Sequence, residues 1–160
     1  MKIRIGNGYD VHELAFGIPL TLGGVRIDHN KGCIAHSDGD VMLHSLCDAM
    51  LGALALGDIG LHFPDTSDEF LGIDSKILLK RVNEMIKSKG YELVNADMTV
   101  LLQRPKISSY IPDMRKTIAN VLNIDIERIS IKATTTEKLG FVGKEMGIAS
   151  YSTVLLQTKE

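Results

Sequence analysis

The clearest pattern along the chain is an apolar run with helical spacing in its middle. Val41, Leu43, Leu46, Cys47, Met50, Leu51 and Leu54 fall three and four residues apart, which predicts a helix from Asp40 to Leu56 with a broad buried face. Asp38 or Asp40 is placed to accept the free N–H groups of its first turn, and Gly57 is placed to stop it. The same period returns at Ile77, Leu78, Val82, Met85 and Ile86, predicting a second helix over Ser75–Lys89 that ends at Gly90. A third helix runs to Leu122, with Pro112 in its first turn. Period-two or β-rich stretches predict strands at Met1–His12, within Tyr91–Arg104, at Ile129–Thr135 and at Ile148–Thr158. Gly6 and Gly8 interrupt the first of these and mark a bulge or a close backbone approach. Leu14–Val25 reads as a loop and short hairpin about Gly23-Gly24, Asp28–Gly39 as a polar loop, Asp125–Arg128 as a turn, and 136–147 as a loop with room for one helical turn. Pro105 and Lys106 close the strand before them.

Strands separated by helices place the chain in the α/β class, as an α+β sandwich with one sheet and helices on one face. The connection lengths permit parallel crossovers or a ferredoxin-like split arrangement. With neither repeat nor linker in 160 residues, the expectation is one domain over 1–160.

Composition and charge narrow the function classes. A formal charge of -2 offers no basic field for nucleic acid, so no nucleic-acid partner is expected. No apolar run reaches the about 20 residues of a membrane span, and MKIRIGNGYD holds no secretory signal, so no membrane partner is expected either. Cys33 and Cys47 form no CxxC pair and read as free thiols. The compartment expected is the bacterial cytoplasm or an organelle matrix.

The polar residues cluster. Ala35–Thr66 carries three His (His36, His44, His62) and five Asp (Asp38, Asp40, Asp48, Asp58, Asp65) around the central helix. Asp10 and His12, two apart on a strand, share one side; with His44 they would make an O, N, N set with an open fourth position, as catalytic zinc requires. Manganese or iron would also suit those donors. Asp40 and Asp48, four residues either side of His44, are candidates to orient its second nitrogen. The alternative is an ordinary strand pair with a hydrogen-bonded core histidine. KATTTEK places hydroxyls and backbone N–H groups where a phosphate could bind, and Glu137 could meet a second divalent ion; Thr in a strand edge is the plainer explanation. His36-Ser37 could be a base and nucleophile, yet no G-x-S-x-G surrounds it. GDIG and FPDT alone read as turns.

The combination is far more specific than its parts. GYDVH, GG-V-RI, AHSDGDV-x-x-H, LGDIG, FPDT, N-x-D-x-T, Q-x-PK and KATTTEKLGF-x-G stand in this order from Ile5 to Leu156. The chain thereby resembles the 2-C-methyl-D-erythritol 2,4-cyclodiphosphate synthase family of the non-mevalonate isoprenoid pathway. The resemblance implies one mixed sheet with helices on one face, a ferredoxin-like arrangement, and a homotrimer with active sites at subunit interfaces. It implies a phosphorus-oxygen lyase that takes a cytidine diphosphate substrate and releases CMP. Zinc would be held by Asp10, His12 and His44, and magnesium or manganese at the diphosphate by Glu137. His36 and Thr135 would stabilise the transition state; Ser37 and Thr134 would hydrogen-bond substrate. Asp58, Ile59 and Gly60, with Phe63, Pro64, Asp65, Thr66 and Ser67, match the segments around the methylerythritol part. Leu102, Gln103, Arg104, Pro105, Lys106, Ile107 and Ser108, with Ala133, match the cytosine-nucleotide pocket. Val11, Thr136, Phe141 and Lys144 complete the substrate-contact set. Lys144 stands where relatives carry Arg, a departure that weakens a phosphate contact there, and Phe141 and Tyr9 match aromatics near the trimer channel. A non-catalytic, metal-stabilised nucleotide-binding trimer, with Cys33 or His36 closing a four-ligand site, is the competing reading.

Overall fold

A computed structural model describes residues 1–159. Its main sheet has five strands: β1 (Ile3–Phe16), β4 (Lys31–Cys33), β5 (Tyr91–Leu101), β6 (Ile129–Thr134) and β7 (Gly147–Thr158), in the order β4-β1-β7-β5-β6. β7 is antiparallel to both neighbours, so β1 and β5 run parallel with β7 between them, while β5 and β6 pair directly in parallel. A small hairpin, β2 (Leu20–Leu22) and β3 (Val25–Ile27), stands apart. The helices are α1 (Val41–Ala53), α2 (Ile59–His62), α3 (Ser75–Ser88), α4 (Ile111–Leu122) and α5 (Gly140–Gly143). α1 packs on β1, β7 and β5, α3 on α1 and β5, and α4 on α3 and β6.

α1 is the centre of the core. Every residue in it except Asp48 and Gly52 is buried, so it has no solvent face of the usual amphipathic kind. Leu43, Leu46, Met50 and Leu51 are wholly buried, each contributing about 1.5–3 kcal/mol of apolar transfer. The glycines of β1 make this packing possible. A Cβ at Gly6 would lie 1.9 Å from the Ala49 carbonyl oxygen, and one at Gly8 would lie 1.9 Å from that of Ser45. Close approach, rather than a bulge, is therefore their role: β1 pairs with β7 in unbroken register through both.

Several boundaries differ from expectation. β1 runs on to Phe16, because Leu14–Phe16 pair with β4, which lies inside the segment read as a polar loop. Three residues are too few to give β4 a visible alternation. α1 stops at Ala53 rather than near Gly57. Leu56 N–H returns to Leu51 O and Ala55 N–H to Gly52 O, a Schellman ending in which Ala55, at φ 56°, takes the left-handed position usually given to glycine. GDIG is not all turn: Asp58 accepts from Leu61 N–H at 2.9 Å and caps α2. The hairpin is as expected, with Gly23 (φ 58°) and Gly24 (φ 73°) forming its two-residue turn. Pro112 lies in the first turn of α4.

Candidate functional site

The site begins where β1 leaves its glycines. Gly6 and Gly8 face α1, so Asp10 and His12 continue on the same side and meet His44 one helical turn from the start of α1. The three ligand atoms form an equilateral triangle: Asp10 Oδ2 lies 3.1 Å from His12 Nε2 and 3.1 Å from His44 Nδ1, and the two nitrogens are 3.1 Å apart. A tetrahedral ion with bonds of about 2.0–2.1 Å separates its ligands by about 3.3 Å, so the triangle fits such an ion. Among the described residues these are the side chains grouped as a metal could hold them. Asp10 Oδ1 accepts from Val11 N–H at 2.9 Å, which aims Oδ2 at the histidines. Burial opposes ionisation of Asp10, but hydrogen bonds and charge from His12 and His44 outweigh it and hold the carboxyl well below the ordinary range. Burial likewise lowers His44, and Asp10 more than offsets it, raising the imidazole above its usual value.

The back of His44 corrects the sequence reading. Neither the Asp40 nor the Asp48 carboxylate hydrogen-bonds to its ring. Asp40 turns toward the helix N-terminus and accepts from Leu43 N–H (3.1 Å), Gly23 N–H (3.0 Å) and Gly24 N–H (2.6 Å). Asp48 accepts from Ile59 N–H at 2.8 Å and anchors α2. A four-residue spacing sets a stripe, but helical side chains lean toward the preceding turn and free N–H groups compete for them. His44 Nε2 instead meets Ser75 Oγ at 2.9 Å and Ser37 Oγ at 3.1 Å. Ser75 in turn donates to Asp38. Ser75 lies 31 residues from His44 and carries no motif, so nothing in the sequence pattern marked it.

His12, His36, Ser37 and His44 open onto a cavity of about 310 Å³ lined also by Ala35, Ile59, Gly60, Phe63, Asp65, Phe70, Ile73 and Leu78. Four of these, Ala35, Phe70, Ile73 and Leu78, had no assigned contact in the sequence reading, and all four are apolar packing positions with no polar signal. His36 Nε2 lies 3.1 Å from the Ser67 carbonyl, to which it must donate, so His36 is not paired with Ser37 as base and nucleophile. Asp58, Pro64 and Thr66 are exposed beside the cavity but do not line it. Cys33 and His36 are both outside the metal-grouped set, so neither closes a four-ligand site.

A second cavity, of about 190 Å³, lies at the far ends of β5 and β6. Leu102, Gln103, Pro105, Lys106, Ile107, Ser108, Ala133, Thr134 and Thr135 line it. Arg104 turns away to Glu145 at 2.7 Å. Thr135 Oγ1 donates to Glu137 Oε1 at 3.1 Å, and Lys138 N–H donates to Gln103 Oε1 at 3.2 Å, tying the Thr-rich loop to the strand end beside it. No residue lines both cavities, so within one chain the triad and Glu137 stand apart. Phe141 lines a separate apolar cavity with Tyr9, Thr136 and Tyr151, and Lys144 a polar one with Lys31, Arg104 and Glu145.

An α/β fold in which a core helix, laid on a glycine-bearing strand, completes an Asp-His-His triangle at a cavity wall defines an enzyme-like scaffold with a possible divalent-metal centre. The chain belongs to the YgbB family, whose model matches residues 3–157, the family of the 2-C-methyl-D-erythritol 2,4-cyclodiphosphate synthases, and it is an enzyme of the lyase class. It is 57% identical over 157 residues to the protein of that name from Bacteroides thetaiotaomicron, covering 98% of this chain and 99% of the relative. It is 60% identical over 155 residues to that of Acinetobacter baumannii, covering 97% of each. Among solved structures, IspF of Plasmodium falciparum in complex with CDP superposes with a TM-score of 0.87 at 42% identity, over 99% of this chain and 97% of that one. The bifunctional IspDF of Campylobacter jejuni gives a TM-score of 0.96 at 47% identity over 99% of this chain, which spans 43% of that longer protein. Among the described residues no helix is long and apolar enough to cross a membrane.

Proposed function

We propose that this chain catalyses the cyclisation its relatives are named for. The substrate is 4-diphosphocytidyl-2-C-methyl-D-erythritol 2-phosphate and the products are 2-C-methyl-D-erythritol 2,4-cyclodiphosphate and CMP. An oxygen of the 2-phosphate forms a bond to the β-phosphorus. The bond from that phosphorus to the oxygen bridging to the α-phosphate breaks, and its electron pair leaves with CMP. The observation that carries the reading is the Asp10–His12–His44 triangle, open to a cavity wide enough for a small polyol phosphate, in a chain of this family.

The residues fit that chemistry. The nucleophile belongs to the substrate, so no activated Ser or Cys is required; both thiols are buried and unpaired. Zinc at the triad and magnesium or manganese at Glu137 would supply Lewis-acid polarisation and neutralise phosphate charge. His36 lines the triad cavity with its Nε2–H donated to the Ser67 carbonyl, which fixes the ring there. Thr134 and Thr135 offer hydroxyls to phosphate oxygens beside Glu137, and the 102–108 strand end takes the cytosine nucleotide, with Lys106 as its cation. Asp58 at the start of α2, near Ile59, Gly60 and Phe63, takes the methylerythritol hydroxyls.

We infer a homotrimer whose sites lie between subunits. Two observations support it. The two halves of the site do not share a cavity in one chain. The sheet face away from the helices also exposes Ile5 (72%), Tyr9 (44%), Val11 (43%) and Tyr151 (47%), an apolar surface that a second copy would cover. The parallel β1–β5 pair split by β7 supports a ferredoxin-like arrangement, whereas the direct parallel β5–β6 pair departs from it. The bacterial cytoplasm or an organelle matrix remains the compartment we assign.

Phosphorus NMR of the protein with substrate, zinc and magnesium tests the reaction. CMP with an equimolar cyclic diphosphate is the expected result. CMP with an open-chain bisphosphate would mean hydrolysis instead, and no CMP from zinc-loaded protein would favour a nucleotide-binding module.

A further inference from the structure

The polar chain behind His44 has a direction, and the direction decides which nitrogen can bind a metal. The Asp38 carboxylate accepts three donors: Ser75 N–H on Oδ2 at 3.1 Å, and Ser75 Oγ–H at 2.5 Å together with Asp40 N–H at 3.2 Å on Oδ1. A carboxylate has no proton to give, so the single hydroxyl proton of Ser75 points at Asp38. Ser75 Oγ can then meet His44 Nε2, 2.9 Å away, only as an acceptor. That keeps a proton on Nε2, so that in the neutral ring the lone pair stands on Nδ1, the atom that completes the triangle with Asp10 and His12 and that gives up its proton to Asp10 or to solvent when a metal enters. Ser37 Oγ, 3.1 Å from the same nitrogen, accepts Gly39 N–H and keeps its own proton free, so it tolerates either form of the ring. The asymmetry rests with Asp38 and Ser75, and Ser75 and His44 are both buried from competing water.

We propose that Asp38, acting through Ser75, is a positioning residue that fixes His44 in the metal-binding tautomer. It rests on the reading of Asp10, His12 and His44 as a divalent-metal site. The proposal makes an unusual prediction for the isosteric variant. In Asp38→Asn the amide can keep accepting Ser75 N–H only by turning its NH2 toward Ser75 Oγ. The hydroxyl proton is then released toward His44 Nε2, and the ring proton is pushed to Nδ1, against the metal. A near-identical shape thus does more harm than deleting the hydroxyl, because Ser75→Ala leaves Ser37 able to accept from Nε2–H.

The test is zinc affinity of the full chain, by competition with a chromophoric chelator, in wild type, Ser75→Ala, Asp38→Asn and the double variant. Loss of such an outer partner typically weakens metal binding by about 10–100-fold. Asp38→Asn is expected in that range and Ser75→Ala below it. In the Ser75→Ala background, Asp38→Asn should change affinity by less than about twofold, since its path to His44 is gone. Equal effects of Asp38→Asn in both backgrounds, or none in wild type, overturn the proposal and leave Asp38 a structural residue. Nitrogen-15 NMR of zinc-loaded wild type tests it without any variant: His44 protonated at Nε2 supports it, and protonation at Nδ1 with zinc on Nε2 overturns it. A wild type that binds no zinc overturns the metal reading first and the proposal with it.

Discussion

The two cavities are built on opposite principles. The triad end is assembled by long-range packing: β1 supplies two of its residues, α1 the third, and α3 the serine behind it, and they meet only because Gly6 and Gly8 let helix and strand touch. The second-cavity end is assembled locally, where two parallel strands finish side by side, Leu101 opposite Thr134, and their following loops close on each other through Lys138 and Gln103. The first depends on how closely two backbones approach. The second depends on which side chains its loops display. Substitutions far from the chemistry should therefore ruin one end and spare the other.

The sharpest way to break the contrast is Gly8→Val. Its side chain has no room beside the Ser45 carbonyl, so α1 must lift from β1. Urea unfolding should reveal a loss of about 3 kcal/mol or more, with zinc binding lost in whatever remains folded. Next in size is His44→Ala. With one of three ligands gone, CMP release should fall by about 10³-fold, the equivalent of several kcal/mol of Lewis-acid stabilisation, while circular dichroism stays native. At the other end, Lys106→Ala removes an exposed cation from a loop. It should raise KM about tenfold through one lost charge-assisted contact and leave both zinc affinity and Tm unchanged. Equal sensitivity of zinc binding to Lys106→Ala would mean that the two ends are coupled within a chain.

The smallest effect is a pH dependence located at the packed end. Burial, reinforced by the Asp40, Asp10 and Asp38 carboxylates, pushes the Cys33 thiol up to about 12, and burial raises Cys47 as well. Thiolate is the reactive form, so alkylation at pH 8 should be at least about 10²-fold slower in the native protein than in urea. The sign for stability follows. Above about pH 9 the unfolded chain releases these protons while the folded chain keeps them, so stability falls as pH rises from there, by up to about 1.4 kcal/mol per unit per thiol. Cys47→Ala should reduce that slope in urea melts recorded between pH 9 and 10.5.

Legibility in the sequence followed the same divide. The three long helices and the strands bearing periodic patterns were readable because period is a local signal, and Asp10-x-His12 was readable as a same-side pair because a strand alternates. Three-residue β4 was too short to carry a period, and Ala55 took a left-handed position that the pattern reserved for Gly57. The partners of His44 were misjudged for a deeper reason. Spacing along one helix nominated Asp40 and Asp48, whereas the serine that holds the ring arrives from another helix, and tertiary approach leaves no mark on local pattern. The loops of the second cavity were the easier half, since nearly all their lining residues are contiguous in the chain.

The turn at Gly23-Gly24 has a consequence for motion. It sits at a hairpin tip, the kind of place where amide protons usually trade with solvent freely, yet both of its N–H groups end on the Asp40 carboxylate, wholly buried at the head of α1. Those two amides can exchange only when that carboxylate lets go. The hairpin tip and the first turn of the helix bearing His44 should therefore open as a single unit, and a slow deuterium clock at the two glycines would time the breathing of the triad end from a position some twenty residues away in the chain.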